Sequence, residues 1–325
     1  MNKRTAQLGF QQRRESIRQG VRHQRAVDFF NVLTGPLLLE LTELHLPAHR
    51  ERLYPPTVVL SMFIKQALED DGSCQRAVNG WAAQRAAEGL SPNSVRTGAY
   101  CRARQRLPAE MVMALTRETG KLLCAQADTG WRWHGRTVKL VDGTGVSMPD
   151  TPDNQTQYPQ PSNQAPGVGF PLARLVGVIC LSTGAVVDAA VGPFEGKGHS
   201  EHDLFRGLLG ALCVGDVVLA DALYCSYWLI ATLQAQGIDV LFEQHGSRIT
   251  DFRRGRRLGA RDHIVSWQKP SRPHWMTPEQ YATCPDELTV REIKIDGRVL
   301  VTTMLDPRKA RKQDLSDLYV KRWHV

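Results

Sequence analysis

The spacing of hydrophobic residues changes along the chain, from a helical period in the first part to short apolar runs in the second. Up to about residue 128, apolar side chains such as Val27, Phe30 and Leu33 recur at three-residue intervals, as in an amphipathic helix. Further along, β-branched runs alternate with helical stretches. The pattern predicts an α-helical domain over residues 1–128 and an α/β domain over residues 129–325.

Two apolar runs in the second part each lead to an aspartate. Residues 138–141 precede Asp142, and residues 217–220 precede Asp221. Burying a carboxylate is costly unless it is paired or binds a cation, and the glycine after Asp142 lets a ligand approach the backbone closely. We therefore expect Asp142 and Asp221 to lie at the ends of two strands that can pair, as half of a site for a hard divalent cation.

The rest of the second part predicts a mixed sheet flanked by helices. A loop rich in Pro, Asn and Gln covers residues 148–169, and loops of this length often lie near functional sites. The predicted elements are a hairpin of strands 174–181 and 185–191, helices 201–212 and 227–236, strands 239–243, 289–295 and 299–305, and a last helix that begins at Asp314 or Ser316.

Residues 246–287 interrupt this alternation with a basic segment. Between Gly246 and Trp275 there are eight Lys or Arg residues and only two acidic ones. A basic segment with indole side chains can follow a phosphate backbone and stack on bases, although a surface subdomain with one tryptophan as its small core fits the same pattern. The candidate DNA contacts in this insertion subdomain are Arg253, Arg254, Arg256, Arg257, Trp267 and Trp275.

The composition of the whole chain narrows the choice of partner. The net charge of +8 favours a polyanion such as nucleic acid, and residues 1–25 predict either a DNA-contacting arm or a solvated terminus. No run of about 18 apolar residues occurs, so no membrane association is expected. The seven cysteines include no CxxC pair, which favours reduced thiols in the cytoplasm over a disulfide framework or a zinc site.

Several segments together resemble the DDE transposases of bacterial insertion sequences, in the family whose third motif is a Tyr-x-x-Arg-x-x-x-Glu helix. The similarity covers nearly the whole chain, which makes it more specific than any single motif. Residues 141–151 resemble the first catalytic motif, 219–224 the second, 167–171 and 196–201 signatures between the motifs, 252–270 the insertion, and 317–323 the start of the third motif.

The resemblance implies an RNase H-like fold in which Asp142 and Asp221 are catalytic metal ligands. The complete site would hold two Mg²⁺ or Mn²⁺ ions. It would cleave DNA at the ends of the element and transfer the strands into target DNA. The implied partners are double-stranded DNA, as terminal inverted repeats and target, and a second copy of the chain in a homodimer. The implied location is the bacterial cytoplasm, in association with the nucleoid.

The resemblance also implies roles for residues that are not acidic. Tyr319, Lys321 and Arg322 would contact phosphates, although an arginine on the solvated face of an amphipathic helix is the alternative interpretation. Related transposases pass through a DNA hairpin, so Trp267 or Trp275 would capture a flipped base. We expect substitution of Trp267 to have the larger effect on hairpin resolution.

The family's third carboxylate would be the residue after Val325, so the sequence is interpreted as a C-terminally truncated transposase that is inactive alone. Restoring a longer reading frame with that glutamate as the next residue is expected to restore DNA cleavage. Two other interpretations remain open. One is a truncated DNA-binding regulator that inhibits transposition. Mixing such a regulator with a full-length homologue would reduce the activity of the homologue. The other is an RNase H-like nuclease without strand transfer, which would give no joined products.

Overall fold

The computed structural model describes residues 40–41, 44–46, 53–91, 93–165 and 167–324. The basic segment 1–25 and the first helical repeat around Val27 lie outside these ranges. The chain divides into two compact units, one up to Thr119 and the other from Gly120 onwards. Among the described residues, no helix combines the length and the apolar character that a membrane span needs.

The described part of the first unit is helical and contains no strand. Helix α2 begins where the Ser73 side chain accepts a hydrogen bond from the Arg76 backbone N–H, which satisfies a donor that a helix start leaves unpaired. Buried Tyr100 donates its hydroxyl to the Gln66 side chain over 2.8 Å. The helices are α1 (Pro56–Leu68), α2 (Cys74–Ala87), α3 (Gly98–Gln105) and α4 (Ala109–Gln126), the last of which continues past the boundary into the second unit.

The second unit contains one nine-stranded mixed sheet, which confirms the predicted α/β class. The strands lie in the order β3-β2-β1-β4-β5-β9-β8-β7-β6. Strands β1, β4 and β5 are parallel to one another, and the other neighbours are antiparallel. The strands are β1 (Val138–Ser147), β2 (Leu172–Cys180), β3 (Val186–Pro193), β4 (Val217–Ala220), β5 (Asp239–Glu243), β6 (Arg256–Gly259), β7 (Asp262–Gln268), β8 (Glu287–Ile295) and β9 (Arg298–Thr302).

Both faces of the central strands are buried, because successive side chains of a strand point to opposite faces. Val141 and Val218 belong to one apolar cluster, and Leu140 and Leu219 belong to the other. Each such side chain contributes roughly 1.5–3 kcal/mol on burial. The flanking helices are α5 (Pro152–Gln157), α6 (Glu201–Arg206), α7 (Tyr227–Ala235), α8 (Pro278–Thr283) and α9 (Lys312–Val320).

Strand β1 does not end at Asp142, and that part of the prediction was wrong. The strand continues to Ser147, because antiparallel pairing with β2 extends as far as Ser147 opposite Leu172. What ends before Asp142 is the parallel pairing with β4, whose last pair is Leu140 with Leu219. Burial ends at the same place, since residues 138–141 are buried and Asp142 is exposed. The strand therefore leaves the core where the carboxylate begins.

Two helix boundaries also differ from the predicted ones. Helix α6 ends at Arg206 instead of continuing to residue 212, because Gly207 is its C-cap and a separate 3₁₀ turn, Leu209–Ala211, follows. Helix α9 begins at Lys312, without a side-chain cap, earlier than the predicted Asp314 or Ser316. The apolar face of α9 was predicted correctly, since its leucines and Tyr319 are buried.

The insertion at residues 246–287 contributes strands to the same sheet. Strand β7 pairs with β8 from Asp262 opposite Ile293 to Gln268 opposite Glu287. Strand β6 forms the outer edge next to β7. The basic segment therefore continues the hydrogen-bonded sheet beyond β8.

Candidate active site at the sheet edge

The two aspartates predicted from the sequence are held by local hydrogen bonds that leave part of each carboxylate accessible. Asp221 follows β4 directly and caps a 3₁₀ turn, since its Oδ1 accepts from the Leu223 N–H over 2.9 Å. Asp142 Oδ1 accepts from the Gly143 N–H over 3.0 Å. The exposed fractions of the two side chains are 54% for Asp142 and 36% for Asp221. Both carboxylates can therefore accept an external ligand.

The guanidinium of Arg322 shows that the two carboxylates converge. Its Nη2 lies 3.7 Å from Asp142 Oδ1 and 3.6 Å from Asp221 Oδ2. The Arg322 side chain is only 6% exposed, and its Nε is buried without a hydrogen-bond partner among the described residues. A buried unpaired donor is unusual. The site thus contains a positive charge within reach of both aspartates and one unused donor.

Tyr319 holds Arg322 from the side of helix α9. The Tyr319 hydroxyl donates to Glu243 Oε2 over 3.1 Å and accepts from Arg322 Nη1 over 3.2 Å. Burial raises the pKa of Tyr319, with the Arg322 charge acting in the opposite direction, so the phenol keeps its proton at neutral pH. Glu243 ends β5, and this chain of contacts therefore fixes the guanidinium relative to the sheet.

Glu201 and Tyr224 also border the site, and sequence reasoning had given neither a role. The Tyr224 hydroxyl donates to Glu201 Oε2 over 3.0 Å. Burial raises the pKa of Tyr224, and the negative charges of Glu201, Asp221 and Asp142 raise it further. The signals in the sequence were the family-like segments 196–201, which ends at Glu201, and 219–224, which ends at Tyr224. Tyr224 therefore remains protonated and acts as a donor among three carboxylates.

The carboxylates of Asp142 and Asp221 are suitable ligands for hard divalent cations. Carboxylate oxygens are the ligands that Mg²⁺ prefers, and Mg²⁺ is commonly held by one or two of them with water completing its shell. The Arg322 contacts show that positive charge is accommodated between Asp142 and Asp221. Over the described ranges, no group of three or more His, Cys, Asp or Glu side chains has the spacing to hold a metal ion. The described residues therefore offer two carboxylates, those of Asp142 and Asp221, to such a cation.

The basic residues predicted to contact DNA lie on the surface, with the exception of Arg322. Lys321 is exposed. Arg253 and Arg254 are exposed and lie 2.8 Å and 3.5 Å from the carboxylate of Asp251. Hydrogen bonds from Arg253 lower the pKa of Asp251 to about 2. Arg256 and Arg257 are exposed on edge strand β6.

The two candidate tryptophans have different environments. Trp267 is 5% exposed in the apolar core, and its indole N–H donates to Glu292 Oε1 over 2.9 Å. Trp275 is 40% exposed, and the guanidinium carbon of Arg206 lies 4.0 Å from its ring centroid. Because a base can reach only an accessible indole, this placement favours Trp275 for base capture.

An RNase H-like sheet that brings aspartates from β1 and β4 together is the arrangement expected of DDE-type nucleic-acid enzymes. Comparison with known families agrees, since the Transposase DDE domain family matches residues 133–325. The chain therefore belongs to the DDE transposase domain family.

Two Escherichia coli K12 proteins are similar to the chain. The transposase InsG of insertion sequence element IS4 is 26% identical over 241 residues, which is 71% of this chain and 51% of InsG. The putative transposase InsZ is 28% identical over 146 residues, which is 45% of this chain and 48% of InsZ. The chain thus spans about half the length of the curated relatives it matches.

Proposed function

We propose that this protein acts in DNA transposition, with its active site at Asp142 and Asp221. It would cleave DNA at the ends of an insertion sequence and join the strands to a target. The observation that carries the proposal is the convergence of the two carboxylates, both within 3.7 Å of one Arg322 nitrogen. Membership of the DDE domain family supports the same reaction class.

Asp142 and Asp221 would hold the divalent cations. Bound there, the cations supply activation of the attacking oxygen and stabilisation of the leaving oxygen at phosphorus. Arg322 adds positive charge beside both carboxylates, which favours the approach of a phosphodiester to an otherwise acidic site. Tyr319 positions Arg322 through its hydroxyl and contributes to phosphate binding indirectly.

The surface arginines of the insertion would bind the DNA backbone. Arg253, Arg254, Arg256 and Arg257 are all exposed in or beside the β6 edge, and Lys321 adds an exposed charge after α9. Contacts of this kind give affinity that depends on salt and little on base sequence. We assign capture of a flipped base to Trp275, because its ring is accessible and Trp267 is in the core.

The partners in this proposal are the inverted repeats of the element, target duplex DNA and a second copy of the chain. The reaction joins two element ends to one target, so pairing of two active sites follows from its geometry. The location is the bacterial cytoplasm, where chromosomal DNA is the target.

Two measurements test the proposal. In the first, Mn²⁺ is titrated calorimetrically into the 325-residue chain, and Asp142→Asn and Asp221→Asn are each expected to weaken binding at least about tenfold. Unchanged affinity in both variants would overturn the proposed site.

The second measurement uses duplex DNA that carries the element's ends. The chain is incubated with this DNA and Mg²⁺, and the cleaved and joined products are separated. Mg²⁺-dependent cleavage with joined products is expected. Cleavage without any joined product would favour a nuclease, and binding without cleavage would favour a regulator.

A further inference from the structure

The Glu201 carboxylate lies directly against the backbone of Gly143, next to the proposed metal ligand Asp142. If Gly143 carried a Cβ, that atom would be 2.4 Å from both Cδ and Oε2 of Glu201. Real side chains do not approach this closely. The absence of a side chain at Gly143 is therefore what allows the end of Glu201 to lie against the backbone of the residue that follows Asp142.

Tyr224 fixes the Glu201 carboxylate in this position. Its hydroxyl donates to Glu201 Oε2 over 3.0 Å, and its ring is held by an edge-on contact with buried Phe205. A carboxylate has about four acceptor positions on its two oxygens, and this hydrogen bond uses one of them. Glu201 therefore keeps acceptor positions for other donors while its place is set by buried neighbours.

Glu201 and the two aspartates are not grouped closely enough to form a three-carboxylate site in this structure. Within the described part of the chain, no three acidic, histidine or cysteine side chains have the spacing to hold a metal ion together. A hard cation bound to Asp142 and Asp221 would keep several water molecules. Water molecules on a cation are strong hydrogen-bond donors, and an ionised acceptor close to them shortens and strengthens the bond.

We propose that Glu201 is a positioning residue that accepts hydrogen bonds from the water molecules of a divalent cation held by Asp142 and Asp221. The inference rests on the proposed function, because it takes the two aspartates as the ligands. Groups that act on a metal from beyond its direct ligands typically change its affinity by 10- to 100-fold. Gly143 has the complementary role, since its bare backbone leaves room for the Glu201 carboxylate.

The test measures Mn²⁺ binding to the chain without DNA, by calorimetry and by the relaxation of water protons on bound Mn²⁺. Glu201→Gln keeps the shape of the side chain and an acceptor for Tyr224, so its Tm is expected to match the parent. We expect its Mn²⁺ affinity to fall about tenfold. The number of water molecules on Mn²⁺ should not change, whereas losing a direct ligand would raise it.

The matched control is Glu287→Gln, which removes the same charge from an exposed residue of β8. Its affinity for Mn²⁺ is expected to stay within twofold of the parent. An equal loss in Glu287→Gln and Glu201→Gln would mean that only overall charge matters, and that result would overturn the proposal.

Gly143→Ala provides a second, independent variant. Its new methyl group would push the flexible end of Glu201 away, so a similar loss of Mn²⁺ affinity is expected. The double variant should bind no more weakly than the weaker single variant, because both changes remove one contact. If the two losses of Mn²⁺ affinity added in the double variant, Glu201 and Gly143 would not act through one shared contact.

The outcomes separate this inference from the proposed function. If Asp142→Asn and Asp221→Asn weaken Mn²⁺ binding and Glu201→Gln does not, the role of Glu201 is wrong and the active site stands. If none of the three variants changes binding, both proposals fail.

Discussion

Two regions of the sheet use similar acidic and basic residues in opposite ways. Where the parallel pairing of β1 with β4 ends, Asp142 and Asp221 are partly exposed and share one arginine at 3.6–3.7 Å. At the insertion end, Asp262 and Arg291 form a two-point ion pair at 2.8 Å and 2.6 Å. Both partners of that pair are buried.

The insertion end satisfies its polar groups internally. The remaining Arg291 Nη1 donates to the Ala310 carbonyl over 2.6 Å. His263 has an acceptor at each ring nitrogen, the Arg254 carbonyl at 2.7 Å and Glu292 at 3.0 Å. Because a carbonyl can only accept, Nδ1 of His263 is the donor to Arg254, and both ring nitrogens are occupied by partners within the protein.

A binding site and a structural ion pair differ in whether their polar groups can still bind a ligand. Short, buried, fully satisfied contacts leave no capacity for a ligand, and breaking one of them exposes a charge to an apolar surrounding. Long contacts that are shared and partly exposed leave donor or acceptor positions available for a ligand. The carboxylates of Asp142 and Asp221 make contacts of this second kind. Arg322 is buried, but its unpaired Nε is also available.

The largest expected effect is on DNA cleavage. If this effect were absent, the distinction between a binding site and a structural ion pair would not hold. Asp142→Asn and Asp221→Asn are each expected to reduce DNA cleavage by about 10³-fold or more, because several kcal/mol of transition-state stabilisation are lost with the cations. Neither variant should lower Tm, since both side chains are accessible. Rates on duplex DNA and thermal melting check the two parts.

The next effect concerns stability at the insertion end. Arg291→Met removes one partner of a buried pair and leaves Asp262 without its guanidinium. The free energy of unfolding is expected to fall by about 3–5 kcal/mol, measured by urea denaturation. Asp142→Asn is the control from the other region. A loss of the same size in both variants would abolish the distinction between the two regions.

A third prediction separates the two tryptophans. Trp275→Ala is expected to slow the step that needs a flipped base by about 10-fold, because stacking contributes about 1–3 kcal/mol per base, with Tm unchanged. Trp267→Ala is expected to destabilise the fold by about 3–5 kcal/mol. Hairpin formation and resolution on labelled DNA, together with melting curves, give both quantities. An undiminished Tm in Trp267→Ala would show that this ring is not part of the core.

A smaller effect is expected from the exposed arginines of the insertion. Arg256→Gln and Arg257→Gln should each reduce the slope of log affinity against log salt by about 1 if each contacts a phosphate. Arg308→Gln removes an equally exposed charge outside the insertion and is expected to leave the slope as it is. Binding isotherms on duplex DNA at several salt concentrations provide the slopes.

The smallest effect follows from Asp251, whose pKa falls from its usual 3.8 to about 2 through hydrogen bonds from Arg253. Because the folded value lies below the unfolded one, this contribution to stability is present above about pH 4. It is lost as the pH falls towards 2. The Tm of Asp251→Asn should therefore be slightly below the parent at neutral pH and converge with it in acid. A difference in Tm between the parent and Asp251→Asn that grows as the pH falls would contradict this prediction.

The convergence at the active site was predictable because it is encoded locally. Each aspartate follows a β-branched run, and parallel strands in register bring such positions to one edge, as Leu140 and Leu219 show. The family resemblance singled out Arg322 as a phosphate contact, but its place beside both aspartates, in the 3₁₀ turn after α9, was not predicted. Local spacing was therefore enough to bring the two carboxylates together, but not to place the arginine.

Contacts between distant segments were not predictable. Glu201 contacts Gly143, 58 positions earlier in the sequence, and no local pattern marks such a pair. Trp267 resembled a surface indole because its neighbours are basic, but its strand position faces the core and its N–H partner, Glu292, is 25 residues away. Only the three-dimensional sheet brings these groups together.

The insertion begins after β5 and ends where β8 begins, and these two strands lie on either side of β9 in the sheet. Its two anchor points are thus fixed by the sheet, independently of what lies between them. Changing the length of the intervening segment costs little loop-closure free energy and does not require Asp142 or Asp221 to move. Related proteins can therefore carry insertions of different length, with different DNA contacts, at this junction while the arrangement of the two aspartates stays the same.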